Sequence, residues 1–280
     1  MYRHSGHGHG HGRVHFDHLE SFRSHGRGTR AEHGHAGHTS VEGYPFVHSI
    51  GESEIDFVER ALELDLGFVD GADGGAANEL EFESELVWAL NSRFVFIAGA
   101  PLVSINSMFD ENTTGYGDLE LGLQWLAYNG RRSMLFTGLF MTVPTGDNDR
   151  DLGAGSTILE PTVLWLQDFG CGNYMQGRFS VTVPVANDPI GNEFNYNIAL
   201  FHTFTQTDGW QFFRFLTPIV EANGVTTLNG ASQGDTSVHM TTGLRWIVRE
   251  MDEVGFGWSL PITGDRLFES RYLLSYRWHF

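Results

Sequence analysis

From residue 58 to the C-terminus the chain alternates apolar and polar residues with a period of two. Leu62, Leu64, Leu66 and Phe68 are interleaved with Glu63, Asp65 and Gly67, and Leu80, Phe82, Leu86, Trp88 and Leu90 with Glu79, Glu81, Glu83 and Glu85. Leu119, Leu121, Leu123 and Trp125 alternate with Asp118, Glu120, Gly122 and Gln124, and Tyr272, Leu274, Tyr276, Trp278 and Phe280 close the chain in the same phase. A two-residue period gives a strand one apolar and one polar face. Twelve such runs are predicted, near 59–69, 79–90, 93–105, 116–127, 132–144, 157–167, 174–185, 193–206, 211–220, 237–248, 253–262 and 268–280. Several exceed the usual strand of about five or six residues and match the roughly 9–11 that a tilted strand needs to cross a bilayer. No apolar run reaches the ~18 residues of a membrane-spanning helix, and helical periodicity is nowhere sustained. A helical membrane protein is excluded, and the pattern argues against a βαβ fold.

The connections alternate too. Links after even-numbered runs are short, such as 91–92, 128–131, 168–173, 207–210 and 249–252, whereas 106–115, 145–156 and 221–236 are long and rich in Gly, Asp and Asn. Short periplasmic turns opposite long external loops are the habit of an up-and-down outer-membrane barrel. Pro101, Pro144, Pro184, Pro218 and Pro261 all fall late in odd-numbered runs. Because proline removes a ladder donor, the sequence predicts a shared rim where strands leave the sheet. In such a barrel the apolar face meets lipid and the acidic face a wet lumen. Trp88, Trp125, Trp165, Trp246, Trp258, Tyr272 and Trp278 then supply interfacial girdles.

The ending Tyr276-Arg277-Trp278-His279-Phe280 resembles the C-terminal signal recognised when bacterial outer-membrane proteins are inserted, with Tyr276, Trp278 and Phe280 in phase. The wider pattern resembles the family of outer-membrane transporters named for the meta pathway of phenol degradation. The matching stretches are Glu79 to Leu90 with Asn91-Ser92-Arg93, Ala100-Pro101-Leu102-Val103, Gly115 to Gly122, Val143-Pro144-Thr145-Gly146-Asp147, Leu152-Gly153-Ala154-Gly155 and Glu160-Pro161. They recur in the family's order across 58–280. The resemblance implies an all-β, twelve-stranded antiparallel up-and-down transmembrane β-barrel in the bacterial outer membrane. Its implied role is passage of small, hydrophobic or aromatic solutes, with outer-membrane lipid and the barrel-assembly machinery as partners. It supplies no catalytic residues.

Charge narrows the function further. The chain carries 17 Lys+Arg, all of them arginine, against 35 Asp+Glu, a net charge of −18. That balance excludes general nucleic-acid binding, which needs a cationic surface. One cysteine, Cys171, excludes an intrachain disulfide framework and a cysteine-cluster zinc site. Given the facing above, Glu63, Asp65, Glu81, Glu83, Glu85, Asp118 and Glu120 point inward from one side. Arg178, Arg214, Arg245, Arg271 and Arg277 come from the other. Strand twelve closes beside strand one, so Arg271 and Arg277 are placed to face Glu63 and Asp65. The charges read equally as a field across a pore, which sorts solutes by charge, or as a salt-bridged filling of a closed structural or binding barrel. A hydrolase at the rim is the weaker third reading, since no G-x-S-x-G string accompanies His202, His239 and His279. The reading is a channel rather than an enzyme, with no cofactor.

Residues 1–44 are of another kind. Eleven of the 14 histidines lie within 1–48, many separated by glycine, with little apolar side chain to bury. Such a segment cannot offset its ordering entropy, so 1–44 reads as a disordered tail. Its histidines, His7, His9, His11, His33 and His35 among them, are suited to weak divalent metal binding. Residues 45–57 read as a periplasmic linker or as a lumen plug, the linker being the plainer of the two.

Overall fold

The computed structural model describes residues 48–72, 77–108, 111–185, 191–204, 215–230, 232–249, 252–263 and 267–280. The predicted disorder of the tail falls outside them. The strands are β1 (Arg60–Gly71), β2 (Ala77–Ala89), β3 (Phe94–Ser107), β4 (Thr113–Tyr116), β5 (Leu119–Asn129), β6 (Ser133–Val143), β7 (Ile158–Gly170), β8 (Asn173–Pro184), β9 (Glu193–His202), β10 (Leu216–Thr227), β11 (Thr236–Arg249), β12 (Asp252–Pro261) and β13 (Ser270–His279). Each pairs antiparallel with its neighbours, and β13 closes on β1. Because β4 and β5 both pair with β3 and follow one another along it, they form a single interrupted stave. The barrel therefore has twelve staves, as the alternation predicts.

Register confirms the facing. Leu62, Leu64, Leu66 and Phe68 of β1 lie opposite Trp278, Tyr276, Leu274 and Tyr272 of β13, while Glu63 lies opposite Arg277. The first set stands on the outer wall. Leu274 and Phe256, each 50% exposed, are typical of that belt. Two aromatic bands edge it. Phe94 stacks on Trp125 and Trp88 approaches Phe280 near the short turns, and Tyr272 stacks between Phe68 and Trp258 nearer the long loops. Trp165 and Trp246 are only half-exposed.

Short turns at 90–93, 130–132 and 171–172 share one end, and the 144–157 loop lies at the other. β-Bulges at Leu126/Tyr128, Asp168/Gly170 and Ile247/Arg249 all fall at the short-turn end, where pairing stops. The turn 207–210 lies outside the described residues. The proline rim is only partly realised. Pro144, Pro184 and Pro261 stand where strands run into long loops, but Pro101 is mid-strand opposite Glu83, and Pro218 sits at the opposite end of its strand.

The interior also departs from expectation. Not all of its inward positions are polar or charged. Toward the short-turn end, β3 and β5–β10 turn Val95, Ile97, Leu126, Met134, Phe136, Leu164, Leu166, Phe201 and Ile219 inward to form a buried apolar cluster. These staves are apolar on both faces, so alternation alone understated what they bury. The cluster is completed by Ile50, Ile55, Phe57 and Val58, which precede β1. Residues 48–59 thus run inside the barrel.

Candidate functional site

The segment 48–59 is itself amphipathic with strand spacing. Ile55 and Phe57 turn to the apolar wall, while Glu54, Asp56 and Glu59 turn to the cationic one. Its backbone is held by side-chain amides from three staves. Gln124 of β5 donates to the Asp56 carbonyl at 2.5 Å, Gln176 of β8 to that of Ser53 at 2.6 Å and Asn197 of β9 to that of Glu52 at 3.4 Å. The Glu221 carboxylate accepts from Ser49 Oγ at 2.5 Å and from the Ser53 N–H at 2.8 Å. Ile50 occupies a socket of small residues. A Cβ at Gly243 would lie 2.7 Å from its Cγ2, and one at Gly255 2.8 Å from its Cδ1.

Two guanidiniums anchor the charged side. Arg277 of β13 meets Glu54 at 2.8 Å, Asp56 at 3.1 Å and Glu59 at 2.8 Å, and also pairs with Glu63. Arg245 of β11 meets Glu54 at 3.0 Å, Glu63 at 3.1 Å and Glu253 at 3.5 Å. Both side chains are 1% exposed. Arginine suits this position because its fork of donors keeps its charge when buried and satisfies several carboxylates at once. His48 bridges Glu253, 2.9 Å from Nδ1, and Glu59, 3.1 Å from Nε2. Burial and Arg277 oppose its charge, but Glu253 and Glu59 outweigh them and hold its pKa at about 10. Burial pushes Glu54 and Asp56 above the usual carboxylate range, despite the arginines.

On the outer side of this segment lies a cavity of about 220 Å³. Its lining mixes carboxylates, among them Glu54, Asp65, Glu83, Glu85 and Glu120, with the guanidiniums of Arg178, Arg245 and Arg271, and with Phe140, Leu273 and Ile50. Arg178 pairs with Glu160 at 2.8 Å and lies over the Phe140 ring. Inward residues from β1, β2, β5, β8, β11 and β13 therefore bring opposite charges together around one small space.

The twelve residues assigned to the lumen network separate into distinct groups. Glu63, Arg245 and Arg277 belong to the buried hub, the first two also lining the cavity, and Asp65, Glu83, Glu85, Glu120, Arg178 and Arg271 line the cavity alone. Arg271 lies opposite Val69 in register and reaches Glu52 at 3.6 Å, rather than Glu63 or Asp65, because the β1–β13 pairing sets it six residues from Arg277 toward the long loops. Glu81 is half-buried and outside the cavity lining. Asp118 is a correction. Its carboxylate accepts the N–H groups of Gly146 at 2.8 Å and Ala154 at 2.7 Å, tying down the 144–157 loop instead of joining the lumen. Arg214 and the tail histidines His7, His9, His11, His33 and His35 lie outside the described residues. Tyr276, Trp278 and Phe280 stand on the outer wall. Sequence reasoning missed His48, Glu52, Glu54, Asp56, Glu59, Glu221 and Glu253. The signal was present as four acids within 52–59 beside apolar Ile55 and Phe57, the pattern of a strand bound for a half-charged, half-apolar interior.

The Asp118 assignment carries a direct prediction. Asp118→Ala removes both loop acceptors, and protease cleavage within 144–157 in reconstituted vesicles is expected to accelerate at least about fivefold, the factor that a loss near 1 kcal/mol of local stability gives. The heat-modifiable mobility of the folded barrel should stay unchanged. Equal cleavage of both proteins would show that the loop is held by other contacts.

A closed antiparallel barrel of twelve staves, apolar outside and polar and charged within, is the architecture of a bacterial outer-membrane protein, and that membrane is its location. Residues 66–278 match the family model described as MetA-pathway of phenol degradation, and the chain belongs to that family. Its fold is similar to that of an outer-membrane channel crystallised from Pseudomonas putida F1, with 15% identity over 82% of this chain and 98% of that one, and a TM-score of 0.61. The NanC porin matches at 10% identity over 78% of this chain and 98% of its own, TM-score 0.53. The KdgM porin matches at 8% over 79% and 99%, TM-score 0.51. At these identities the likeness is one of fold. No curated protein sequence matches the chain.

Proposed function

We propose that this protein is an outer-membrane channel for small solutes, with residues 48–59 as a plug at its periplasmic end. The observation that carries the reading is the cavity of about 220 Å³, lined by carboxylates and guanidiniums together and by residues within 50–56 of the buried segment. Charged walls at close quarters sort solutes as they pass. Phe140 and Leu273 lie in the same lining, so the class that fits is a small aromatic or apolar compound bearing a polar group. The channel likeness of the Pseudomonas putida protein supports the reading. The outward Tyr276, Trp278 and Phe280 suit the barrel-assembly machinery as an insertion signal. The barrel histidines favour no hydrolase, for His202 meets Asn173, His239 meets Glu52 and His279 meets Glu59.

A second reading, a closed structural barrel, draws on the buried Arg245–Arg277 hub. Planar-bilayer recordings separate the two. The channel is expected to open in brief cation-selective steps, and Glu83→Gln, Glu85→Gln and Glu120→Gln together should shift its reversal potential toward anion selectivity. No openings and no solute uptake into liposomes, with or without residues 48–58, would leave the closed barrel standing.

A further inference from the structure

The buried hub holds more negative charge than its arginines match. Among the described residues, Glu54, Asp56, Glu59, Glu63 and Glu253 all contact Arg245, Arg277 or His48. Five carboxylates gather around only two guanidiniums, and His48 stands among them. Burying unmatched charge is costly, and a cation is one means of relieving it.

The geometry offers such a cation a place. His48 Nε2 lies 3.1 Å from Glu59 Oε1, and His279 Nε2 lies 3.3 Å from Glu59 Oε2. One donor atom from each of the three residues falls within 4.8 Å of the others. A tetrahedral ion with bonds of about 2.1 Å sets its ligands about 3.4 Å apart, and each imidazole already stands at about that distance from one oxygen of the Glu59 carboxylate, His48 from Oε1 and His279 from Oε2. The other ring nitrogen of His48 faces Glu253 at 2.9 Å. Once the Nε2 proton has left, a carboxylate on Nδ1 keeps the tautomer whose Nε2 lone pair faces Glu59, as in metal sites built on a carboxylate–histidine pair. Arg277 holds Glu59 at Oε1, 2.8 Å away, leaving Oε2 on the histidine side. All three residues are nearly or fully buried.

We propose that His48, Glu59 and His279 form a binding site for a divalent first-row transition ion at the periplasmic floor of the barrel. Two imidazoles and a carboxylate are the donor set that suits Zn²⁺ and Co²⁺. Binding exchanges the Nε2 proton of His48, shared with Glu59, for the ion. The site joins both ends of the 48–59 segment to the last strand, so the bound ion pins the segment in the lumen. Ten further histidines precede His48 in the sequence.

Cobalt titration tests the assignment, because tetrahedral Co²⁺ absorbs far more strongly in the visible range than six-coordinate Co²⁺ on a loose histidine run. The full-length chain with the ten histidines from His4 to His38 replaced by Gln is expected to take up one equivalent with the tetrahedral spectrum, and one Zn²⁺ should displace it. His279→Gln in that background should abolish the band and weaken binding at least 100-fold. Glu59→Gln serves if His279→Gln does not yield the heat-modifiable folded form. A folded tail-substituted chain with no tetrahedral band, or an unchanged band in either folded variant, overturns the site.

Discussion

Replacing residues 48–58 with a glycine–serine segment of equal length is expected to raise single-channel conductance by more than about tenfold, since ion flow through a narrow lumen is set by its tightest cross-section. The segment fills that cross-section. It lies between Gln124, Gln176 and Asn197 on one side and Arg245 and Arg277 on the other, and these residues come from β5, β8, β9, β11 and β13. Side chains from around the circumference therefore meet on it, and without it nothing among the described residues spans the same level. The replaced chain should also lose the brief gating of the intact one and conduct steadily. Equal conductance from the two proteins, with circular dichroism showing both folded, would mean that ions pass beside the segment and that it is no plug.

The second large effect is on stability. Arg277→Ala should destabilise the folded barrel by about 3–5 kcal/mol, the usual cost of leaving buried partners of an ion pair uncompensated. Four carboxylates, Glu54, Asp56, Glu59 and Glu63, lose a shared counter-charge in one step. Arg178→Ala provides the contrast. Its guanidinium is 21% exposed and pairs with Glu160, so a cost nearer 1 kcal/mol is expected. Arg277→Lys should fall between, since it keeps the charge and loses the fork. Urea unfolding of the reconstituted proteins, followed by tryptophan fluorescence, measures all three. Equal midpoints for Arg277→Ala and Arg178→Ala would show that the hub contributes no more than a lumen-side pair.

Much of the barrel was legible because its causes are local. The alternation at Leu62–Phe68 and Tyr272–Phe280 follows from the pleat, and lipid selects which face is apolar without reference to any other strand. The alternating link lengths, wherever the chain is described, carry the same local character. The staves apolar on both faces were harder. Phe136 and Leu164 point inward and Leu135 and Val163 outward, and period two cannot separate lipid from a dry interior when both are apolar. Asp118 looked like another inward acid because it keeps the phase of Glu120. Its role as a loop anchor depends on where 144–157 folds back.

The amino-acid order alone determined the strand class, the twelve staves, the outward belt and the supply of opposite charges, since each rests on neighbours a few positions apart. Only the tertiary structure decided that 48–59 enters the lumen, that Arg277 gathers four carboxylates and that His48 meets Glu253 and Glu59. The His48–Glu253 contact spans 205 residues of sequence. Such a pairing exists only after the last strand has closed on the first and register has set which inward side chains share a level.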